Sequence, residues 1–289
     1  MNTLKKTFFF VITPVFFILT GCVSVEEKTE YPSALILGHR GSGVTSAEFQ
    51  ENTVASVINA FERLDGAVVD IQCSKDGTIW LFHDAGLPAD DLLCLPQTTD
   101  KELEELAGKL TDFTFTRLEE ILQLMTMMEK TPVLSLDVKG YFPNGCFEEN
   151  NAPKHYFEMM AESLFALLER YPLQSHIIIE TDYDYFLDLV KENEPLIELF
   201  LLGYHDFRER IERAIERSYH GISYNFKDEF LTREEIELAR QNGLKVQLWP
   251  INSEEDFEMA LSWKPAFIKT GNINQGEKLS NLTTGENEN

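Results

Sequence analysis

Val133-Leu134-Ser135-Leu136-Asp137-Val138 opens the stretch of sequence that decides the fold. From there to Lys269, apolar runs of strand length alternate with segments of helical period. The strand-like runs are 133–138, 176–180, 199–202, 221–224, 245–249 and 266–269. Helix-period segments fall between them at 156–169, 183–190, 207–217, 232–242 and 254–261, and another, 116–128, precedes the first run. Working outward, residues 34–39 read as a further strand. A helix follows it, with Val54, Val57, Ile58 and Phe61 on one face. Residues 67–74 read as the second strand. Lys75-Asp76-Gly77 then turns the chain and 78–82 returns, which makes a hairpin. Eight β-to-α alternations predict an α/β protein, a single closed (β/α)8 TIM barrel with a β-hairpin after strand 2, over residues 33–275. An open doubly wound sheet is the alternative, and no glycine-rich dinucleotide fingerprint favours it.

The flanks read differently. Residues 1–21 have the form of a lipoprotein signal peptide: Lys5 and Lys6, an apolar run from Phe8 to Leu19, then Leu19-Thr20-Gly21-Cys22. The last four resemble the bacterial lipobox, in which the cysteine is lipidated and begins the mature chain. Residues 22–32 then form a short acidic tether, and 276–289 a disordered polar tail. The expectation is an exported, cell-envelope lipoprotein that meets the membrane through a lipid on Cys22. The 289 residues suit one large barrel, and a 43% hydrophobic share supplies its core. A formal charge of −24 sets nucleic acid aside as a partner. Three more cysteines remain, Cys73, Cys94 and Cys146. A Cys94–Cys146 bridge is allowed in an exported protein, but free, buried cysteines are the favoured reading.

In such a barrel, groups that do chemistry stand at the C-terminal ends of the strands. Those ends carry His39 and Arg40, Asp70, Asp137 and Lys139, Glu180 and Asp182, and Trp249 and Asn252. The hairpin returns His83 to about the level of Asp70. This set suits phosphodiester chemistry. Arg40 offers phosphate a planar fork and Lys139 a point charge. Asp70 and Asp137 are hard oxygen donors for Ca2+ or Mg2+. Two histidines can divide general-base and general-acid work near neutral pH.

Several blocks together resemble the glycerophosphodiester phosphodiesterase family. They are Leu37-Gly38-His39-Arg40-Gly41, Glu51-Asn52-Thr53, Asp65 to Gln72, Ser74-Lys75-Asp76-Gly77 and Phe82-His83-Asp84. Leu136-Asp137-Val138-Lys139, Arg117 to Leu122 and Val246 to Asn252 continue the likeness to about Asn272. The resemblance implies a (β/α)8 barrel and a hydrolase that cleaves glycerophosphodiesters to glycerol phosphate and an alcohol, with a divalent cation. It places the catalytic pair on His39 and His83, phosphate binding on Arg40 and Lys139, the metal on Asp70 and Asp137, and a pocket residue on Trp249. Departures stand beside these matches. The second-strand Glu-x-Asp reads Val68-Val69-Asp70, so one metal-ligand carboxylate is replaced by valine. Asp137 is shorter than the usual glutamate, Gly271 replaces an aspartate and Gln50 a proline. Glu51 and Glu180 are the candidates to compensate for Val68. The alternatives to a working hydrolase are a barrel that binds phosphodiesters or head groups without turnover, and a phospholipase-type phosphodiesterase.

Overall fold

The computed structural model describes residues 34–88 and 90–284. The expected signal peptide, the expected lipidation site Cys22 and the expected 22–32 tether lie outside the described residues. The first strand, β1 (Leu35–His39), leads to α1 (Val54–Arg63), then β2 (Gly66–Cys73) and its antiparallel return β3 (Ile79–Leu81). An excursion carries α2 (Asp100–Ala107) and β4 (Thr116–Arg117) before α3 (Leu118–Thr126). Six further β-to-α steps follow: β5 (Val133–Val138) with α4 (Lys154–Arg170), β6 (Ile177–Thr181) with α5 (Asp184–Asn193), β7 (Glu198–Gly203) with α6 (Phe207–Glu216), β8 (Gly221–Asn225) with α7 (Arg233–Gln241), β9 (Lys245–Trp249) with α8 (Glu254–Ser262), and β10 (Phe267–Thr270) with α9 (Ile273–Thr284).

The parallel order is β1, β10, β9, β8, β7, β6, β5, β2, and β1 pairs with β2 to close the ring. This is the closed barrel expected from the alternation. The strand ends shift from the sequence reading by a residue or so, since helical and strand patterns blur at their boundaries. The hairpin is present, in the register Ile71 with Leu81 and Cys73 with Ile79.

Side chains on each strand alternate between two environments. Outward residues such as Ile36, Val69, Leu136 and Ile179 are fully buried under the helices. Inward, Leu37, Val68, Ile178, Phe200 and Phe267 form an apolar floor. Each such burial contributes roughly 1.5–3 kcal/mol. Above the floor the inward positions turn polar: Ser135, Glu180, Ser223, Gln247 and Lys269 are all buried. Helix α1 begins where it does because Thr53 and Ser56 form a reciprocal capping box, a device that contributes about 1 kcal/mol.

Three features differ from the sequence reading. The expected disordered tail is helical as far as Thr284, and Arg63 on α1 bonds Glu277 and Asn274 of that helix. Polar residues had masked a helix that packs on the barrel through one face. In the excursion, Thr99 and Glu102 cap α2. Trp80, Phe82, Leu87, Leu95, Leu103 and Phe115 make a small core of its own beneath it. Cys94 and Cys146 are joined in a disulfide that ties the excursion to the loop after β5, while Cys73 is free and buried.

Candidate active site

The turn after β1 sets the first two candidates. Arg40 and Asn52 both take left-handed backbone, φ 55 and 57, and Gly41 between them has φ 74. A side chain at Gly41 would meet Ser56 Oγ at 2.5 Å, so only glycine lets the loop lie against α1. The Arg40 carbonyl accepts from the Asn52 N–H at 3.1 Å, and Gly41 N donates to Val68 O at 3.0 Å. This locks the loop over the end of β2. An arginine in this sparsely populated region holds strain that the surrounding hydrogen bonds must offset.

Asp70 is the centre of the arrangement. Asn52 grips it twice: Nδ2 donates to Oδ2 at 2.8 Å and Asp70 N donates to Asn52 Oδ1 at 3.0 Å. Arg40 Nε lies 3.4 Å from the same Oδ2. Lys139 Nζ lies 2.8 Å from Oδ1 and 2.9 Å from Asp137 Oδ2. Asp70 and Asp137 are direct cross-strand partners on β2 and β5. Two like charges so placed repel, and the ammonium between them removes that cost. Burial alone would raise the Asp70 pKa, but Lys139, His83 and Arg40 outweigh it and hold the carboxyl below the usual range. Burial would likewise lower Lys139, and Asp137 and Asp70 push it up instead.

The two histidines differ. His39 ends β1, and its Nδ1 is buried with no hydrogen-bond partner. Burial, then the charge of Lys269, lowers its pKa to about 3 against the weaker pull of Asp70. It is a neutral imidazole at ordinary pH. His83 is returned by the hairpin, where Phe82 N bonds Asp70 O at 2.9 Å, and its Nδ1 lies 2.8 Å from Asp84. His83, Asp137 and Lys139 line a cavity of about 370 Å3 together with Asp182, Tyr183 and Tyr204. The Trp249 ring lies 6.0 Å from that of Tyr204, and its Nε1 donates to Ser223 Oγ at 3.0 Å.

The structure thus links Arg40, Asp70, Asp137 and Lys139 by direct contacts and sets His39 and His83 within electrostatic reach of Asp70. It directs the two compensating candidates elsewhere. Glu51 holds Arg40 Nη1 through both oxygens, at 2.9 and 3.0 Å. Glu180 accepts from Lys269 Nζ at 2.5 Å, and from Ser223 and Gln247 at 2.8 and 2.7 Å. Burial pushes the Glu180 carboxyl up, and Lys269 opposes the shift. Neither replaces the carboxylate missing at Val68. Asn252 is a loop residue: its Oδ1 accepts from Gly271 N at 2.8 Å.

Two contributors escaped the sequence reading. Asn52 was visible only as part of a motif. Its φ and its double grip on Asp70 depend on how the loop folds back. Lys269 was hidden in the apolar run 266–269, although a lysine at an inward strand position is itself a signal of a buried partner.

The comparisons with known proteins agree on one family. The profile of the glycerophosphoryl diester phosphodiesterase family matches residues 39–274. A glycerophosphodiester phosphodiesterase of Caldanaerobacter subterraneus subsp. tengcongensis is 27% identical over 239 residues, covering 78% of this chain and 88% of that protein. Among solved structures, a glycerophosphodiester phosphodiesterase of Parabacteroides distasonis is similar in fold, with a TM-score of 0.72 at 16% identity over 87% of this chain and 98% of that one. An Oleispira antarctica phosphodiesterase, in complex with the product sn-glycerol-3-phosphate, gives a TM-score of 0.66 at 19% identity over 85% of this chain and 96% of that one. With its barrel, its two histidines and phosphate-suited cations, and a match over most of its length, this chain belongs to the glycerophosphoryl diester phosphodiesterase family of phosphodiester hydrolases.

Proposed function

We propose that the barrel mouth hydrolyses glycerophosphodiesters to glycerol phosphate and an alcohol. The observation that carries this reading is the set of His39, Arg40, Asp70, His83, Asp137 and Lys139 in a chain of this family. Water attacks phosphorus and the bond from phosphorus to the alcohol oxygen breaks. His39 takes the proton from the attacking water, because an imidazole held neutral is available as a base. His83 gives a proton to the departing alkoxide. Its Nδ1 rests on Asp84, which leaves Nε2 for the substrate. Arg40 and Lys139 offset charge on the phosphoryl oxygens. Tyr204 lines the pocket, with the Trp249 ring against it. Tyr183, Tyr204 and the Asp182 carboxylate suit an alcohol that carries a cationic group.

The family is generally metal-dependent. A Ca2+ or Mg2+ ion here would have Asp70 and Asp137 as its carboxylates. The donor set does not fit such an ion. Val68 offers no oxygen, and Glu51 and Glu180 are held by Arg40 and Lys269. Among the described residues no group of three His, Cys, Asp or Glu side chains converges on one point. Water can complete the shell of a hard cation, but its carboxylates must be free to ligate, and Lys139 bonds both aspartates.

Release of glycerol phosphate from a panel of diesters tests the proposal. Glycerophosphocholine should be cleaved faster than glycerophosphoinositol. A purified, folded protein that cleaves no member would sink the hydrolytic reading and favour the binding barrel, for which Val68 is the supporting observation.

The expected location is the cell envelope, with a lipid on Cys22. Leu19-Thr20-Gly21-Cys22 supports it, as does the Cys94–Cys146 disulfide, a bond that persists in oxidising compartments. Wild type should partition into detergent, and Cys22→Ser into the aqueous phase. Equal partitioning of both would end the anchor idea.

A further inference from the structure

We infer that Lys139 replaces the divalent cation in this barrel mouth, so that phosphate binding here is independent of a metal. Asp70 and Asp137 together require a positive charge. They are cross-strand neighbours, and Asp70 is buried, so a positive charge must lie between them. Lys139 stands two residues beyond Asp137, and its Nζ reaches both carboxylates at 2.8 and 2.9 Å. Those distances are those of charge-assisted N–H···O bonds.

The remaining oxygens leave little for a second cation. Asp70 Oδ1 is held by Lys139 and Oδ2 by Asn52, with Arg40 beside it. Of the four carboxylate oxygens, Asp137 Oδ1 is buried without a partner. One vacant oxygen does not make a hard-cation site. The third ligand position is Val68, which is 1% exposed and packed with Leu37, Ile178, Phe200 and Phe267. It lies below Asp70 on the same inward face, and its neighbour across the ladder is Ser135.

Charge at the two aspartates points the same way. Lys139 bonds both, and Arg40, itself held by Glu51, lies beside Asp70. A divalent ion shared by Asp70 and Asp137 would have to expel Lys139 or tolerate its repulsion at close range. Val68 in place of Glu leaves the mouth one carboxylate fewer, and Lys139 bonds both aspartates that remain.

The test is calorimetry on the full chain, with CaCl2, MgCl2 and sn-glycerol-3-phosphate as probes. It rests on the proposed substrate class only in its second arm. Wild type should give no site-specific heat with either cation, and its affinity for glycerol phosphate should be the same with and without EDTA. Lys139→Ala, which frees both aspartates, should gain cation binding, read as a rise in melting temperature on adding CaCl2. Val68→Glu should gain it as well if it folds. A cation that binds wild type while leaving glycerol phosphate affinity unchanged in EDTA lies outside the mouth, and the inference stands. Binding of one cation per chain with glycerol phosphate affinity lost in EDTA and restored by that cation overturns it. If glycerol phosphate does not bind at all, the substrate reading fails, and the cation titration still decides this inference.

Discussion

Two lysines stand inside the same barrel, each bonded to carboxylates, and they are used differently. Lys139 lies at the rim with 21% of its side chain exposed, between Asp70 and Asp137, on the wall of the 370 Å3 cavity. Lys269 lies deeper, 2% exposed, bonded to both oxygens of Glu180. Ser223 and Gln247 complete the Glu180 shell, and the Trp249 ring centroid lies 5.4 Å from the Lys269 ammonium. The chemical pair is the same. The surroundings decide its role. Lys269, with Glu180, Ser223 and Gln247, joins strands β6, β8, β9 and β10 across the barrel. Lys139 can trade part of its contact with carboxylates for contact with a phosphate. The sealed pair still reaches the open one through His39, whose protonation Lys269 opposes.

The sharpest division between the regions is expected in the rate. Groups that transfer protons typically contribute about 10²–10⁴-fold. His39→Ala and His83→Ala should each lose activity on that scale while melting close to wild type, since neither packs the floor. Near-full activity in either variant would remove that histidine from the proton-transfer pair.

The sealed pair should answer in stability. Breaking one partner of a buried ion pair costs roughly 3–5 kcal/mol, because the other is left unpaired. Lys269→Met should show a loss of this order in urea unfolding, and Glu180→Leu combined with Lys269→Met should recover much of it. If Lys269→Met unfolds at the wild-type midpoint, the pair does not bear on the fold and the contrast collapses.

A smaller effect links the two regions through pH. His39 titrates near 6.5 in the unfolded chain and at about 3 when folded. Between those values the unfolded chain binds more protons, so stability is full above the window and falls as pH drops through it. His39→Gln should flatten that part of a plot of urea midpoint against pH. An unchanged slope would place the acid sensitivity on other groups.

Much of the open region was legible because its residues are local in sequence. His39, Arg40, Asp70 and His83 lie within one strand, loop, strand and hairpin, and period-two alternation puts Asp70 on an inward face. The barrel was legible for a similar reason, since each β-to-α step shows its period within a short window. The sealed region was not. Lys269 and Glu180 are 89 residues apart, and closure of the ring alone brings them together. The same holds for the bridge between Cys94 and Cys146, 52 residues apart. Glu51 faces Arg40 rather than a metal-ligand position because of the left-handed loop, which no propensity predicts for an arginine. Helix α2 did leave a signal, the Thr99-Asp100-Lys101-Glu102 capping box, and it went unread beside the polar loop that precedes it.

Phosphorus NMR of glycerophosphocholine incubated with wild-type protein tests the central claim most directly, in buffer with EDTA and in buffer with added Mg2+ or Ca2+. The account predicts that the diester resonance gives way to that of a glycerol phosphate monoester at equal rates in all three. An unchanged diester resonance in every buffer, from protein shown to be folded, would contradict the claim that this mouth is a phosphodiesterase.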